Sequence, residues 1–313
     1  MHLFKSLSSL LIIGSLVGCG SPKQEAGQAS DTSTTTASNK RNLDSLRERV
    51  SAYLKAQPAD VGFAIYAIED GDTMSYNGDK MYSLMSVTKF PQALKLLKLV
   101  DEGKISASKP LKVTPEHLTQ QTASTLKKDH PYSAFELSIP EVLRYAVGQS
   151  DNISSNVMFD AEGGPEAVTA YLRSVGVEGI TLGSDYRNGT ALIEKNIGTP
   201  KATALLLKKF LADKLLSDSS SQLLWMTMER SLPGADRIKG QLPEGTVVAH
   251  KTGTSGTDAT GAIIALNDAG IIRLPNGKHI AIAAFVGNSK ASPEASAKII
   301  ATASKMVWDE YVK

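Results

Sequence analysis

Residues 82–101 read YSLMSVTKFPQALKLLKLVD. The stretch leaves a β-type segment, and from Ser86 a helical run carries Ala93, Leu94, Leu97 and Val100 on one side. Strand patterning here gives way to helices. Upstream, 60–67 (DVGFAIYA) and 73–77 (TMSYN) flank Glu69-Asp70-Gly71-Asp72 and predict a β-hairpin. Ahead of them Leu43, Leu46, Val50 and Leu54 recur at helical spacing after Asn42, a favourable N-cap residue. Downstream, from about 86 to 230, the punctuation is helical. Gly163-Gly164-Pro165 stops one helix and starts the next, Gly176 ends that one, and Thr199-Pro200 opens another.

Strands return late. Residues 246–252 (TVVAHKT) form a β run, and 269–274 and 279–286 are joined around Pro275-Asn276-Gly277, a strong hairpin signal. A closing helix from about 293 carries Ile299, Ile300, Ala303, Met306 and Val307 on one side. Strands at both ends and helices between them predict an α+β fold, an α/β sandwich. Its antiparallel sheet is built from the two termini and flanked by helices, with an all-helical subdomain inserted. The expected boundaries are 43–85 plus 230–313 for the α/β part and 86–229 for the helical part.

The composition is globular: 313 residues, 42% hydrophobic and 21% charged, too apolar for a disordered chain. A formal charge of +2 excludes a strongly basic nucleic-acid footprint, so no nucleic-acid partner is expected. Five scattered histidines and one cysteine give no zinc-ligand spacing and no disulfide framework, so neither a metal nor a cofactor is expected.

That cysteine, Cys19, ends a segment with Lys5 near its start, an apolar run from Leu10 to Val17, and Gly18. This is the pattern of a secretory signal, too short to span a membrane as a mature helix. Leu16-Val17-Gly18-Cys19 resembles the lipobox of bacterial lipoproteins, in which the cysteine is lipidated and becomes the mature N-terminus. The plainer reading is an ordinary signal peptide that happens to contain a cysteine. Residues 20–42 (GSPKQEAGQASDTSTTTASNKRN) hold almost nothing to bury and read as a flexible tether. The expected address is a lipid anchor on the periplasmic side, at the outer membrane, after removal of residues 1–18.

Three Ser-x-x-Lys matches occur, at Ser86/Lys89, Ser106/Lys109 and Ser124/Lys127. The spacing alone is weak, and context separates them. Ser106 and Ser124 lie in polar, loop-like stretches, whereas Ser86 opens a helix. There a serine meets free backbone N–H groups and the positive end of the dipole, and Lys89 follows on the same face. A serine hydroxyl needs a neighbouring base to become a nucleophile, and a partly desolvated lysine can serve. Ser150-Asp151-Asn152 falls at a turn before a helix, and Lys251-Thr252-Gly253 lies on the β run 246–252. Singly, the first reads as a helix cap and the second as a strand end.

Together and in this order, the three strings resemble the class A serine β-lactamases of the penicillin-binding protein superfamily, a motif set with known mechanics. The resemblance runs from about residue 43 to the C-terminus. VVAHKTGTSG (247–256) and NDAGIIRLPNG (267–277) are most similar to the branch common in Bacteroidetes. The resemblance implies a serine β-lactamase/DD-peptidase-like fold, a monomer, and β-lactams such as penicillins and cephalosporins as substrates. It implies that Ser86 attacks the lactam carbonyl with Lys89 in proton transfer, and that the N–H groups of Ser86 and Thr254 hold the oxyanion. Ser150 would protonate the departing nitrogen, and Asn152 would bind the side-chain amide. Lys251, Thr252, Gly253, Thr254 and Ser255 would form the wall for the substrate carboxylate. Arg237 is a candidate second carboxylate partner, since Ala269 stands where many relatives carry arginine; otherwise it is a solvated surface residue.

The pattern breaks where a loop glutamate is expected to activate the deacylating water. The loop here, GITLGSDYRNGTALIEKNIG (179–198), has no glutamate at the aligned place. Counting from its N-terminal side places Asp185 or Tyr186 there, and counting back from Thr199 places Gly183. Asp185 is the expected substitute base, one methylene shorter than glutamate. Pro91, five residues after Ser86, is expected to remove a helix hydrogen bond. Two other functions stay open: a penicillin-capturing or sensing lipoprotein that deacylates poorly, and a D-Ala-D-Ala peptidase.

Overall fold

The computed structural model describes residues 43–130, 133–187 and 194–313. The signal segment 1–18, Cys19 and the tether 20–42 lie outside the described residues.

Helix α1 (Leu43–Lys55) leads into strands β1 (Asp60–Ala67) and β2 (Thr73–Tyr76). The short strand β3 (Tyr82–Ser83) and a 3-10 turn (Met85–Thr88) precede α2 (Lys89–Asp101). Then come β4 (Leu111–Val113), α3 (Pro115–Thr119), α4 (Leu126–Asp129), β5 (Phe135–Leu137) and α5 (Ile139–Leu143), which runs into a π-helical turn, Arg144–Gly148. Next follow α6 (Asn152–Glu162), α7 (Pro165–Ser174), β6 (Ile180–Thr181), β7 (Ile197–Gly198), α8 (Pro200–Ala212) and α9 (Asp218–Glu229). The chain closes with β8 (Val248–Thr254), β9 (Ile263–Arg273), β10 (His279–Ser289) and α10 (Pro293–Tyr311). Among the described residues no helix is long and apolar enough to cross a membrane.

The main sheet has the order β2-β1-β10-β9-β8, antiparallel throughout. This is the expected α+β fold, with strands from both ends of the chain and helices between them. Both faces of the sheet are buried, so its strands alternate between two apolar sets. On β10, Ile280, Ile282 and Val286 join α1 and α10 in one cluster. Ala281, Ala283 and Phe285 face the other, which also holds Leu206, Leu207 and Phe210 of α8. Small alanines there let a helix approach the sheet closely.

The helix boundaries follow the local chemistry. Gly163 ends α6 in the left-handed region at φ 90, and Pro165 opens α7. Thr199 caps α8 by accepting from Ala202 N–H. Pro91 falls in the first turn of α2, because the 3-10 turn delays the α-helix to Lys89. In that turn backbone N–H groups lack α-helical partners, so the expected loss is small and Lys89 keeps its place.

Candidate active site

The nucleophile candidate sits on a turn held from three sides. Met85 adopts φ 48, a left-handed conformation that a side chain of its size rarely takes. Leu84 N–H donates to the Asn196 carbonyl at 2.8 Å, and Asn267 Nδ2 donates to the Ser83 carbonyl at 2.7 Å. On β8, Gly253 faces this turn. A Cβ there would overlap the Leu84 carbonyl oxygen and come within 3.2 Å of Met85 Cβ, so only glycine lets the strand approach.

Lys89 Nζ donates to Ser86 Oγ at 3.0 Å, to the Ser150 carbonyl at 2.8 Å and to Asn152 Oδ1 at 2.6 Å. Three acceptors match the three protons of an ammonium. Yet Lys89 is fully buried, and burial, reinforced by Lys251, holds its pKa well below the usual lysine range, with Asp151 opposing. The amine is thereby poised to be neutral and basic, 3.0 Å from a hydroxyl.

Ser150, the second left-handed non-glycine residue of the site at φ 62, receives a hydrogen bond on Oγ from Lys251 Nζ at 2.9 Å. Lys251 also donates to the Thr252 carbonyl at 2.9 Å. Its pKa is lowered to about 7 by burial, with Asp268 raising it and Arg237 lowering it. Asp151 is structural. It caps α6 through Ser154 N–H at 2.7 Å and ties in the preceding loop through Leu126 N–H at 2.9 Å and Ser124 Oγ at 2.6 Å. Asn152 Nδ2 donates to Thr122 Oγ1 at 2.8 Å, so both ends of that amide are engaged. A groove of about 520 Å³, lined by Thr122, Lys127, Lys128, Gln149 and Ser150 among others, opens beside these residues. That is ample for a small molecule.

Arg237 is buried rather than solvated. It donates through Nη1 to the carbonyls of Gly253 at 3.0 Å and Asn267 at 2.6 Å, and through Nη2 to Thr254 Oγ1 at 2.6 Å. Thr252 is buried beside Gly234, where a Cβ would overlap its methyl group. Thr254 lies exposed at the end of β8. Ser255 departs from the expected wall: its hydroxyl donates to the Gly256 carbonyl and accepts from Ala265 N–H at 2.7 Å, which closes the strand end.

The loop departs further. Asp185 does not reach Ser86; its carboxylate accepts from Arg187 Nη1 at 2.6 Å and Arg187 N–H at 2.9 Å, and the same guanidinium holds Asp160. The neighbouring Tyr186 takes the inner place. Its N–H donates to Asn156 Oδ1 at 2.8 Å, and its hydroxyl lies 2.7 Å from Thr88 Oγ1 and 3.2 Å from the Met85 carbonyl. Its ring faces Lys89 Nζ at 4.3 Å. Burial pushes its pKa up to about 12, with hydrogen bonds from Thr88 and Ser86 opposing.

A serine–lysine pair on a turn beneath the outer strand of an antiparallel sheet, with a second serine and lysine across a groove, is the apparatus of a serine acyl-transfer enzyme. The chain belongs to the Beta-lactamase enzyme family, whose sequence profile matches residues 45–311. It is 35% identical to β-lactamase VEB-1 of Pseudomonas aeruginosa, over 86% of this chain and 91% of that one. Among solved structures, the TLA-3 extended-spectrum β-lactamase superposes with a TM-score of 0.83 at 40% identity, covering 86% of this chain and 99% of that chain. A class A β-lactamase from Bacteroides cellulosilyticus superposes at 0.82 with 31% identity, covering 88% and 99%. The Bacteroidetes-type resemblance expected from 247–256 and 267–277 agrees with that relative.

Proposed function

We propose that the chain is a class A serine β-lactamase that opens the lactam ring of penicillins and cephalosporins through an acyl-enzyme on Ser86, and so confers antibiotic resistance. The observation that carries the site assignment is the buried Lys89 amine, 3.0 Å from Ser86 Oγ and depressed in pKa. Lys89 takes the Ser86 proton as Oγ adds to the lactam carbonyl. The backbone N–H groups of Ser86 and Thr254 hold the oxyanion as its charge develops. When the C–N bond breaks, Ser150 gives its proton to the nitrogen and is resupplied by the Lys251 ammonium, 2.9 Å away. Exchange through solvent then resets the two lysines.

The substrate carboxylate meets Lys251, Thr252 and Thr254, with Gly253 admitting the strand and Arg237 adding charge from behind. Asn152 receives the side-chain amide. Leu16-Val17-Gly18-Cys19 and the polar segment after it support lipidation at Cys19 and a tethered, periplasmic enzyme at the outer membrane.

The test is steady-state cephalosporin hydrolysis by the full chain, with Ser86→Ala as control. Multiple turnovers that fall by at least about 10³-fold in the variant are expected. Equal rates in both chains would remove Ser86 from the reaction. For the anchor, metabolic labelling with a radioactive fatty acid should mark the chain and fail in Cys19→Ala.

A further inference from the structure

Hydrolysis of an ester on Ser86 needs a water that loses a proton as it adds to the acyl carbon. Among the described residues, Asp151, Asp185, Asp160 and Asp268 are engaged with other groups, and Glu162 is remote from this centre. Asp151 is occupied by Ser154, Leu126 and Ser124. Asp185 and Asp160 share Arg187. Asp268 lies with His250 Nδ1 at 2.9 Å, and Glu162 ends α6 about 15 Å along the helix from Asn152. The loop residue that does reach the nucleophile's turn, Tyr186, is a neutral phenol at physiological pH, and so no base.

We infer that this enzyme clears its acyl-enzyme without a loop carboxylate: Lys89 is the base in both half-reactions, and Tyr186 closes the loop side of the pocket. The inference rests on Ser86 acylation as proposed above. In deacylation a water gives its proton to neutral Lys89 Nζ while its oxygen bonds the acyl carbon. The tetrahedral adduct then collapses, the C–O bond to Ser86 breaks, and the Lys89 ammonium returns the proton to Oγ. Product acid leaves and the free serine is restored. The transient ammonium is met by the Ser150 carbonyl, by Asn152 Oδ1 and by the Tyr186 ring face at 4.3 Å. A ring face so placed favours the cation. Burial and Lys251, across the site on β8, return it to the neutral amine. Lys89 thus has both a reason to accept the proton and a reason to give it back.

Intact-protein mass spectrometry tests this with the full chain and a cephalosporin, followed through gain and loss of the adduct. Asp185→Asn should acylate and clear the adduct within about threefold of the unsubstituted rate. Lys89→Met, acylated slowly over a long incubation, should hold its adduct at least about 100-fold longer. Lost clearance with intact acylation in Asp185→Asn overturns the inference. So does clearance by Lys89→Met at the unsubstituted rate, or an unsubstituted chain that never releases its adduct. Should Lys89→Met resist acylation, Asp185→Asn at its partly exposed position still decides whether a loop carboxylate is needed. An unsubstituted chain that gains no adduct on Ser86 overturns the proposed function instead.

Discussion

Asp268 and Lys251 lie on adjacent strands, and the fully buried carboxylate raises the affinity of the Lys251 ammonium for its proton. In the proposed mechanism Lys251 binds an anionic substrate only while charged, and Lys89 acts as base only while neutral. The kcat/KM profile is therefore expected to be bell-shaped, with Lys89 on the acid limb and Lys251 on the alkaline limb near pH 7. Bound substrate carboxylate favours the ammonium, so the alkaline limb of kcat lies higher than that of kcat/KM. Asp268→Asn removes a negative charge and moves the alkaline limb of kcat/KM to lower pH. A limb that stays in place would dissociate Lys251 from Asp268.

Arg237→Ala acts on the same lysine with opposite sign. Arg237 lowers the Lys251 pKa, so its loss moves the alkaline limb to higher pH. The variant also strips charged hydrogen bonds from the Gly253 and Asn267 carbonyls and from Thr254. A rise in KM of about 10- to 100-fold follows from losing about 1.5–3 kcal/mol. Rate measurements at several pH values separate the two effects.

Gly253→Ala is a steric test. The new methyl meets the Leu84 carbonyl, a backbone atom that cannot swing aside, so β8 must move off the Ser86 turn. A displacement of about 1 Å can cost about 100-fold in rate, and overpacking about 1–3 kcal/mol in stability. Both kcat/KM and Tm are expected to fall, and a crystal structure of the variant would show the strand shifted.

Asn156→Ala releases the loop. Asn156 accepts from Tyr186 N–H and donates to Gln120 Oε1 at 2.7 Å, so it bridges two segments that border the site. The buried N–H left without a partner costs about 1–3 kcal/mol locally. Hydrogen exchange should rise at residues 183–187, and clearance of the adduct should slow more than its formation. Unchanged exchange there would show that the Asn196 bonds to Gly183 and Ser184 suffice.

Glu162 gives a stability prediction. It is buried, both carboxylate oxygens lack a hydrogen-bond partner among the described residues, and burial holds its pKa well above the ordinary value of 4.5. The folded chain thus binds a proton that the unfolded chain has released, and stability falls as pH rises from about 4.5 toward the folded-state pKa. Glu162→Gln should raise Tm at neutral pH by a few degrees and flatten that slope. Calorimetry across pH would show it.

Much of this was legible in the sequence because the signals are local. The hairpins, the Thr199 and Gly163 caps and the three motif strings each depend on a few consecutive residues. β9 is longer than its pattern predicts: it begins at Ile263, since Asn267 and Asp268 look like loop residues yet are buried. Their partners, the Ser83 carbonyl and His250, are distant along the chain. The loop is hard to read from sequence for the same reason. Spacing left Asp185, Tyr186 and Gly183 as candidates, and the choice is made by Asn156, thirty positions upstream. Arg187 then draws Asp185 outward, and a buried tyrosine is easily taken for mere core. Ser255 carries a hydroxyl suited to a binding wall but spends it on the strand end.

The three acceptors around Lys89 come from a turn at residue 86 and a loop more than sixty residues later. Before that loop docks, the chain carries an ordinary serine beside an ordinary hydrated ammonium, and neither attacks a lactam. Chemical competence is therefore created by folding. A fluorescent penicillin added to a refolding chain would label only molecules that have already assembled, and its uptake would time the docking of that loop against the Ser86 turn.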